Sequence, residues 1–311
     1  SLSWTTATSL TLPSAPTRAG YIFDGWYDTA TAGTRVVKNA LSFDGINDRE
    51  WKATLNERKL KELEFHDRDR DKSLQNELAK NPAEFDAMYG NRKYYKTVRR
   101  SHAFTQEWMQ KNAKGKVFLD YACGNGNNAI LAAEAGALLS LGFDISPISV
   151  ANARGEAESK NLQNIRFFQA DAENTKLPDG SIDTILCSGM LHHLDLSYAF
   201  PEMRRILKPG GKILAVEALD INPLIKLYRM RTPKMRTVFE AKHILSLSEV
   251  KFGERFFELK EIRYWHVVGY IAGKFPKLMR PLAFADKFLE RIPYVQRLAW
   301  IFTFEFYKKP E

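Results

Sequence analysis

The chain has 311 residues, of which 44% are hydrophobic and 27% are charged. This length accommodates one large α/β domain with a small addition, or two domains, and it allows a sizeable core. The formal net charge of +9 favours anionic partners, such as a phosphorylated substrate, a membrane surface or a nucleic acid, without choosing among them. The two cysteines, Cys123 and Cys187, follow apolar runs as free core thiols do, so we expect neither a disulfide scaffold nor a metal site.

Targeting signals are not evident in the sequence. We identify no signal peptide and no uninterrupted apolar run of about 18 residues, so no transmembrane helix is expected. The first residue is Ser1, which indicates a fragment or a processed form. The expected location is cytoplasmic, and peripheral contact with a membrane stays open as an alternative.

Residues 1–52 are predicted to form a small β module, because Pro, Gly and Asp-Gly pairs punctuate short strand-like runs. The stretch from Leu12 to Asp28 resembles the Listeria–Bacteroides type of β-repeat. The matching positions are Pro16, Thr17, Gly20, Tyr21, Phe23, Gly25 and Trp26. Such repeats usually lie in arrays on bacterial surface proteins. The resemblance therefore implies either that setting or a short β appendage on the main domain.

Residues 53–113 are predicted to be a helical linker or lid. The first part carries charges of mixed sign with leucines at helical spacing, which is typical of a solvated helical face. Further helices are expected over Pro82–Tyr89 and about 92–112. The aromatic residues of the last helix either pack it on the main domain or belong to a lid over the ligand. The lid alternative places His66, Tyr94 and Tyr95 near the substrate.

From residue 114 to the end, apolar strands alternate with helices, which predicts a doubly wound parallel α/β sheet. The first five strands are expected near residues 117–119, 138–143, 165–170, 182–187 and 212–219. Two further β runs are expected, from Glu258 to Ile271 and from Ala299 to Tyr307. A helical insertion at about 274–294 lies between them and is both apolar and basic. Such a helix either lies on a membrane or buries one face in the core.

Three acidic residues follow successive predicted strands: Asp120, Asp144 and Asp171. In an open α/β sheet the ligand crevice lies at these carboxyl ends. Asp144 comes twenty residues after Gly124, the offset of a carboxylate that binds the two hydroxyls of a ribose. The turn with Gly124 and Gly126 lets a ligand approach the backbone closely. A nucleoside-containing ligand is therefore predicted.

The carboxylate of Asp120 lies four residues before the first glycine of this turn. A negative charge there repels phosphates and favours a cation, which argues against a dinucleotide. S-adenosylmethionine fits, because it combines a ribose and an adenine with an ammonium and a sulfonium and carries no phosphate.

Residues 117–215 resemble a class I S-adenosylmethionine-dependent methyltransferase of the type 11-like group. The first motif of that family is present as Asp120-Tyr-Ala-Cys-Gly124-Asn-Gly126, with Ala122 in place of a glycine. The resemblance implies a Rossmann-like, doubly wound seven-stranded sheet whose last strand is antiparallel, with S-adenosyl-L-methionine as the cofactor. The implied cofactor-binding residues are Asp120, Ala122, Gly124, Gly126, Asp144, Ile145, Asp171, Ala172 and Ser188.

The resemblance also implies methyl transfer to a small molecule, a sugar or a lipid by in-line displacement. His192 and His193 either shape the loop after the fourth strand, or one of them serves as a base. Arg229, with its basic neighbours, either meets an anionic substrate or belongs to a solvated face. A nucleic-acid substrate is disfavoured, because no Asn/Asp-Pro-Pro-Tyr motif follows the fourth strand. The alternatives are a non-catalytic cofactor-binding protein and a surface protein led by the β-repeat.

Overall fold

The computed structural model describes residues 48–237, 239–240 and 243–309. The β module predicted for residues 1–52 therefore lies outside the described residues, except for its last five. Those residues are helical and belong to α1, Asp48–Ala53, so the predicted module extends too far. Among the described helices, none is both long enough and apolar enough to cross a membrane.

The described residues form one seven-stranded sheet in the order β3-β2-β1-β4-β5-β7-β6. Strands β1 to β5 are parallel, and β7 runs antiparallel to both of its neighbours, β5 and β6. This confirms the predicted doubly wound sheet with an antiparallel last strand. The strands are β1 Val117–Tyr121, β2 Leu139–Asp144, β3 Ile165–Gln169, β4 Ile182–Ser188, β5 Leu207–Ala218, β6 Glu258–Trp265 and β7 Ile301–Tyr307.

Helices cover both faces of the sheet, which is why the central strands are mostly apolar. All five residues of β1 are buried, including Phe118 and Leu119 at 0% exposure. The remaining helices are α2 Glu57–Arg70, α3 Lys72–Leu78, α4 Pro82–Tyr89, α5 Arg92–Tyr95, α6 Arg99–Ala113, α7 Asn127–Glu134, α8 Pro147–Ser159, α9 Leu196–Ile206, α10 Pro223–Arg231, α11 Leu247–Gly253 and α12 Met279–Leu289.

The single helix predicted over residues 92–112 is wrong, because the chain breaks between α5 and α6. At the break, the hydroxyl of Thr97 donates to the carbonyl of Tyr94 at 2.7 Å, and its backbone N–H donates to the same oxygen at 2.9 Å. These short-range bonds tighten the chain into a turn that ends α5. Helix α6 then packs Trp108 and Met109 against Phe118 of the sheet.

The β run predicted from Glu258 to Ile271 is also too long, since β6 ends at Trp265. The next residue, His266, has a φ of +64°, which turns the chain away from the sheet. The backbone N–H groups of Val268 and Gly269 then donate to the carboxylate of Asp286 in α12, at 2.9 and 3.1 Å. A short 3₁₀-helix, Gly269–Gly273, follows instead of a strand.

Candidate active site

The turn after β1 is fastened to the end of β2. The backbone N–H of Gly124 donates to the Asp144 carboxylate at 2.8 Å, and that of Cys123 donates to the Phe143 carbonyl at 2.7 Å. Gly124 has a φ of +52°, and Ala122 has a φ of +54°. The left-handed backbone at Ala122 costs roughly 1 kcal/mol or more for an alanine. The turn thus has left-handed backbone at Ala122, although alanine replaces glycine at this position.

A cavity of about 370 Å³ opens at this turn, at the carboxyl ends of the strands. Eight of the nine residues predicted to bind the cofactor line it: Asp120, Ala122, Gly124, Asp144, Ile145, Asp171, Ala172 and Ser188. The ninth, Gly126, does not line the cavity. A Cβ atom there would lie 2.5 Å from the ring of Phe167 and 2.8 Å from Ala153. Gly126 is therefore a close-packing position between the turn and β3, rather than a wall of the cavity.

Asp144 lies at the end of β2 and is only 7% exposed. One of its oxygens accepts from the N–H of Gly124, and the other accepts from the N–H of Ser146 at 2.9 Å. Burial raises the pKa of Asp144 above its ordinary value, against the lowering effect of these two donors. A carboxylate has about four acceptor positions, so this one can still accept from the two hydroxyls of a ribose.

Asp120 is an acid of the cavity whose pKa is strongly shifted, and it is 1% exposed. It accepts a hydrogen bond from the backbone N–H of Ala129 at 3.2 Å and a long one from the side chain of Asn128 at 3.5 Å. Burial raises its pKa to about 7. A buried carboxylate with these weak partners gains most from an adjacent cation, which restores the ionised form.

Helix α2 forms the opposite wall of the cavity, with Lys59, Glu62, His66 and Arg70 facing inward at helical spacing. Lys59 Nζ lies 2.6 Å from the Asp171 carboxylate. The other oxygen of Asp171 accepts from the backbone N–H of a neighbouring loop residue at 2.9 Å. Asp171 thus lies in the cavity as predicted, but its carboxylate is already engaged by α2. The lid alternative placed these helices over the ligand, but of these four side chains only His66 was predicted near it.

A second cavity, of about 670 Å³, adjoins the first. The two share a set of lining residues: His66, Arg70, His102, Asn127, Asn128, Ser188, Gly189 and His193. After the roles expected from the sequence, we call the first the cofactor cavity and the second the acceptor cavity. Three residues line the acceptor cavity and not the cofactor cavity: His192, Glu217 and Glu240.

His192 is paired with a buried carboxylate. Its Nδ1 lies 2.7 Å from Glu217 Oε2, and Glu217 is 1% exposed. The other oxygen of Glu217 accepts from the backbone N–H groups of Met190 and Leu191, at 2.8 and 2.7 Å. Because the carboxylate accepts only, Nδ1 carries the hydrogen, and in the neutral ring Nε2 keeps a lone pair. Nε2 lies 3.8 Å from Glu240, beyond hydrogen-bond distance.

His193 stands at the junction of the two cavities and is paired with Glu62 of α2, Nδ1 to Oε2, at 2.9 Å. Burial opposes the charged ring, but the hydrogen bond and the charge of Glu62 outweigh it and raise the pKa of His193. His66, next to it, has a pKa well below its usual value because it is buried beside His193. One ligand atom each from Glu62, His66 and His193 lies within 4.8 Å of the others, so these residues are able to hold a metal ion.

The predicted substrate residues separate in the structure. His66, Tyr95 and Arg229 line the acceptor cavity, whereas Tyr94 does not. A third, aromatic pocket of about 110 Å³ contains Tyr94, and it shares Tyr95 and Arg229 with the acceptor cavity. The alternative of a solvated face is wrong for Arg229, whose side chain is 11% exposed and lies 3.0 Å from Glu240. Its Nε is buried without a hydrogen-bond partner.

The sheet order, the glycine turn and the acidic residues at the strand ends agree with the class I S-adenosylmethionine-dependent methyltransferases that the sequence motifs resemble. Comparison with known proteins agrees: residues 118–211 match the methyltransferase domain family, and residues 2–43 match the Listeria-Bacteroides repeat domain.

Two curated relatives each match about a third of the chain. A demethylmenaquinone methyltransferase of Thermus thermophilus is 36% identical over 104 residues, which are 33% of this chain and 47% of that protein. A ribosomal protein L11 methyltransferase of Burkholderia cenocepacia is 35% identical over 117 residues, 36% of this chain and 37% of that protein. The chain thus spans less than half the length of these relatives.

Among solved structures, a geranyl diphosphate C-methyltransferase from Streptomyces coelicolor A3(2) superimposes with a TM-score of 0.50. Its sequence is 13% identical, and the match covers 66% of this chain and 77% of that one. At this identity the likeness concerns the fold.

Proposed function

We propose that the chain transfers a methyl group from S-adenosylmethionine to a small-molecule, sugar or lipid acceptor held in the acceptor cavity. The observation that carries this proposal is the contact between the two cavities. They meet at Ser188, Gly189 and His193, directly after the carboxyl end of β4. An acceptor and a cofactor can therefore lie next to each other, and holding two reactants in line is the main source of rate for such a transfer.

The residues of the cofactor cavity fit the amino-acid end of S-adenosylmethionine. Asp120 offers a buried acid that gains from a cation, which suits the ammonium group. Arg70 lines the same cavity beside Gly124, and its Nε is buried without a hydrogen-bond partner, which suits the carboxylate. Asp144 is placed for the ribose. When bound, S-adenosylmethionine supplies a methyl group that is already activated by its positively charged sulfur.

His192 is the group best placed to take the acceptor's proton. Glu217 holds its Nδ1–H, so the lone pair of Nε2 is available toward the acceptor cavity. When the acceptor's oxygen or nitrogen displaces S-adenosylhomocysteine from the methyl group, its proton would move to Nε2 of His192, and Glu217 would stabilise the imidazolium formed. His193, whose pKa is raised, is better suited to stay protonated and to stabilise negative charge on an acceptor.

The test has two parts. Isothermal titration calorimetry of the full chain with S-adenosylhomocysteine measures the cofactor site, with Asp144→Ala as the variant expected to lose binding. Transfer of a radiolabelled methyl group to pooled phenols, sugars and lipids then measures turnover, with His192→Asn as the variant expected to keep binding and lose transfer. Binding without transfer to any pool favours a non-catalytic protein. A folded chain that does not bind S-adenosylhomocysteine contradicts the proposal and leaves the surface-protein alternative.

A further inference from the structure

Two segments of the chain expose an unusual number of large apolar side chains. In α12, Phe284 and Phe288 are 62% and 56% exposed, and in α10, Leu224 and Met230 are 62% and 71% exposed. Outside residues 221–230 and 275–298, the described residues with such side chains are Tyr95, Leu138 and Tyr198. The set within the two segments is Ile221, Leu224, Leu227, Met230, Phe275, Leu278, Phe284, Phe288, Ile292, Tyr294 and Leu298.

The two segments are neighbours in space. The side chain of Asn222, which caps the start of α10, donates to the carbonyl of Leu298 at 2.6 Å. The same amide lies 3.4 Å from the hydroxyl of Tyr270, in the 3₁₀-helix that precedes α12. The start of α10 therefore lies against the end of the segment 275–298, and we call the exposed apolar side chains of the two segments together the apolar face. Apolar patches of this extent mark interaction sites.

The charge around α12 is of one sign. Between residues 274 and 298, both acidic residues are turned inward: Asp286 is 0% exposed, and Glu290 is 8% exposed and paired with Arg100. Helical spacing places Phe284 and Phe288 on the opposite side from these acids. The exposed charged residues of the segment are Lys274, Lys277, Arg280, Lys287, Arg291 and Arg297. Within residues 274–298 the exposed surface is therefore apolar with only basic charges, which complements a bilayer surface with anionic headgroups.

The aromatic pocket opens on this face. Leu224 lines the pocket and is also 62% exposed. Tyr270 and Trp300 form further parts of its wall, and Tyr95 and Arg229 connect it to the acceptor cavity. An apolar chain that enters beside Leu224 thus lies in a pocket that borders, at Tyr95 and Arg229, on the cavity lined by His192. We infer that the apolar face docks the protein on an anionic lipid bilayer and that the acceptor is a lipid taken from it. The second half of this inference rests on the proposed function.

Vesicle co-sedimentation of the full chain tests the docking. We expect binding to vesicles of phosphatidylcholine with phosphatidylglycerol, weakened by salt, and little binding to phosphatidylcholine alone. Each basic residue near an anionic surface contributes about fivefold in affinity, so Lys287→Gln with Arg291→Gln should weaken binding about 25-fold. The matched control is Lys111→Gln with Lys114→Gln, which removes the same charge from exposed positions at the end of α6 and beside it. This control should bind as the unchanged protein does.

Phe284→Ser with Phe288→Ser removes apolar side chains and no charge, and it should also reduce vesicle binding. Unfolding temperature and S-adenosylhomocysteine affinity should be unchanged in all variants, which separates docking from folding and from the cofactor site. An equal loss of vesicle binding in the Lys111→Gln, Lys114→Gln control would show that only the net charge of the protein matters, and it would overturn the inference. A dimer in sedimentation equilibrium that dissociates in the Phe284→Ser, Phe288→Ser variant would also overturn the inference, because the apolar face would then bind a second copy of the chain. Vesicle binding without S-adenosylhomocysteine binding would support docking and contradict the proposed function alone.

Discussion

The buried acid Asp120 makes cofactor binding and stability depend on pH in opposite directions. Its pKa is about 7 in the folded protein against an ordinary value of 3.8. The folded state therefore holds a proton that the unfolded chain releases between these two values, and stability falls as the pH rises through this window. The change to test is Asp120→Asn, which keeps the shape of the side chain and removes the charge at every pH.

The size of the effect follows from the shift. A rise of about three pKa units, at about 1.36 kcal/mol each, means that ionised Asp120 costs about 4 kcal/mol of folding free energy above pH 7. Only part of this cost is present at pH 5, where the folded carboxyl is protonated. The difference in unfolding free energy between Asp120→Asn and the unchanged chain should be about 3 kcal/mol larger at pH 8 than at pH 5. Urea denaturation at both pH values measures it.

Binding should show the opposite trend, because the ammonium group of the ligand requires the ionised form of Asp120. The affinity for S-adenosylhomocysteine should rise up to about tenfold per pH unit from pH 5 toward 7 and then level off. Asp120→Asn should bind more weakly and without this slope. Methylthioadenosine, which lacks the amino-acid part, is the control ligand, and its affinity should be the same for both proteins. Parallel pH profiles of the two proteins for S-adenosylhomocysteine would refute the assignment of Asp120 to the ammonium group.

Three further changes test other parts of the site. Arg70→Gln should weaken S-adenosylhomocysteine about tenfold and leave methylthioadenosine unaffected, as calorimetry can show, because it removes the partner of the carboxylate. Gly126→Ala should lower the free energy of unfolding by about 2–4 kcal/mol, because the added Cβ meets the ring of Phe167. The control is Gly155→Ala, where the added Cβ meets no atom within 4 Å, and it should stabilise the protein slightly. Equal changes in unfolding free energy for the two variants, measured by denaturation, would contradict the packing role of Gly126. Glu217→Gln should reduce kcat about 10²–10⁴-fold at unchanged S-adenosylhomocysteine affinity; unchanged turnover would exclude His192 as the base.

The sheet and most of the cofactor cavity were predictable because they depend on local patterns. A strand, a glycine turn and a helix follow one another within a few residues around Gly124, and Asp144 stands at the end of the next strand. Parallel strands bring their carboxyl ends to one edge, so the order of the motifs already places these side chains together. Gly126 belongs to the same motif, but it packs against the ring of Phe167, a contact that only the folded chain shows.

The side-chain pairs at the two cavities were mostly not predictable, because they join distant parts of the chain. His193 and Glu62 are 131 residues apart, and Glu62 also accepts from Thr237, 175 residues away. No local period indicates such partners. The spacing of charged residues along α2 was a usable signal, since Lys59, Glu62 and Arg70 share one helical face, but mixed charges more often mark a solvated helix. The overlong sixth strand has a similar cause, because pairing ends where β7 begins at Ile301.

The segment that matches the methyltransferase family contributes more to the cofactor cavity than to the acceptor cavity. The segment shared with the methyltransferase family ends at residue 211, and it contains the glycine turn and Asp144. Glu217, Arg229 and Glu240, which line the acceptor cavity, all lie outside it. On the proposed function, the segment that matches the family thus contains the glycine turn of the donor site, whereas several residues of the acceptor cavity lie outside that segment. The names of its relatives therefore predict what it binds as donor and carry little information about what it modifies.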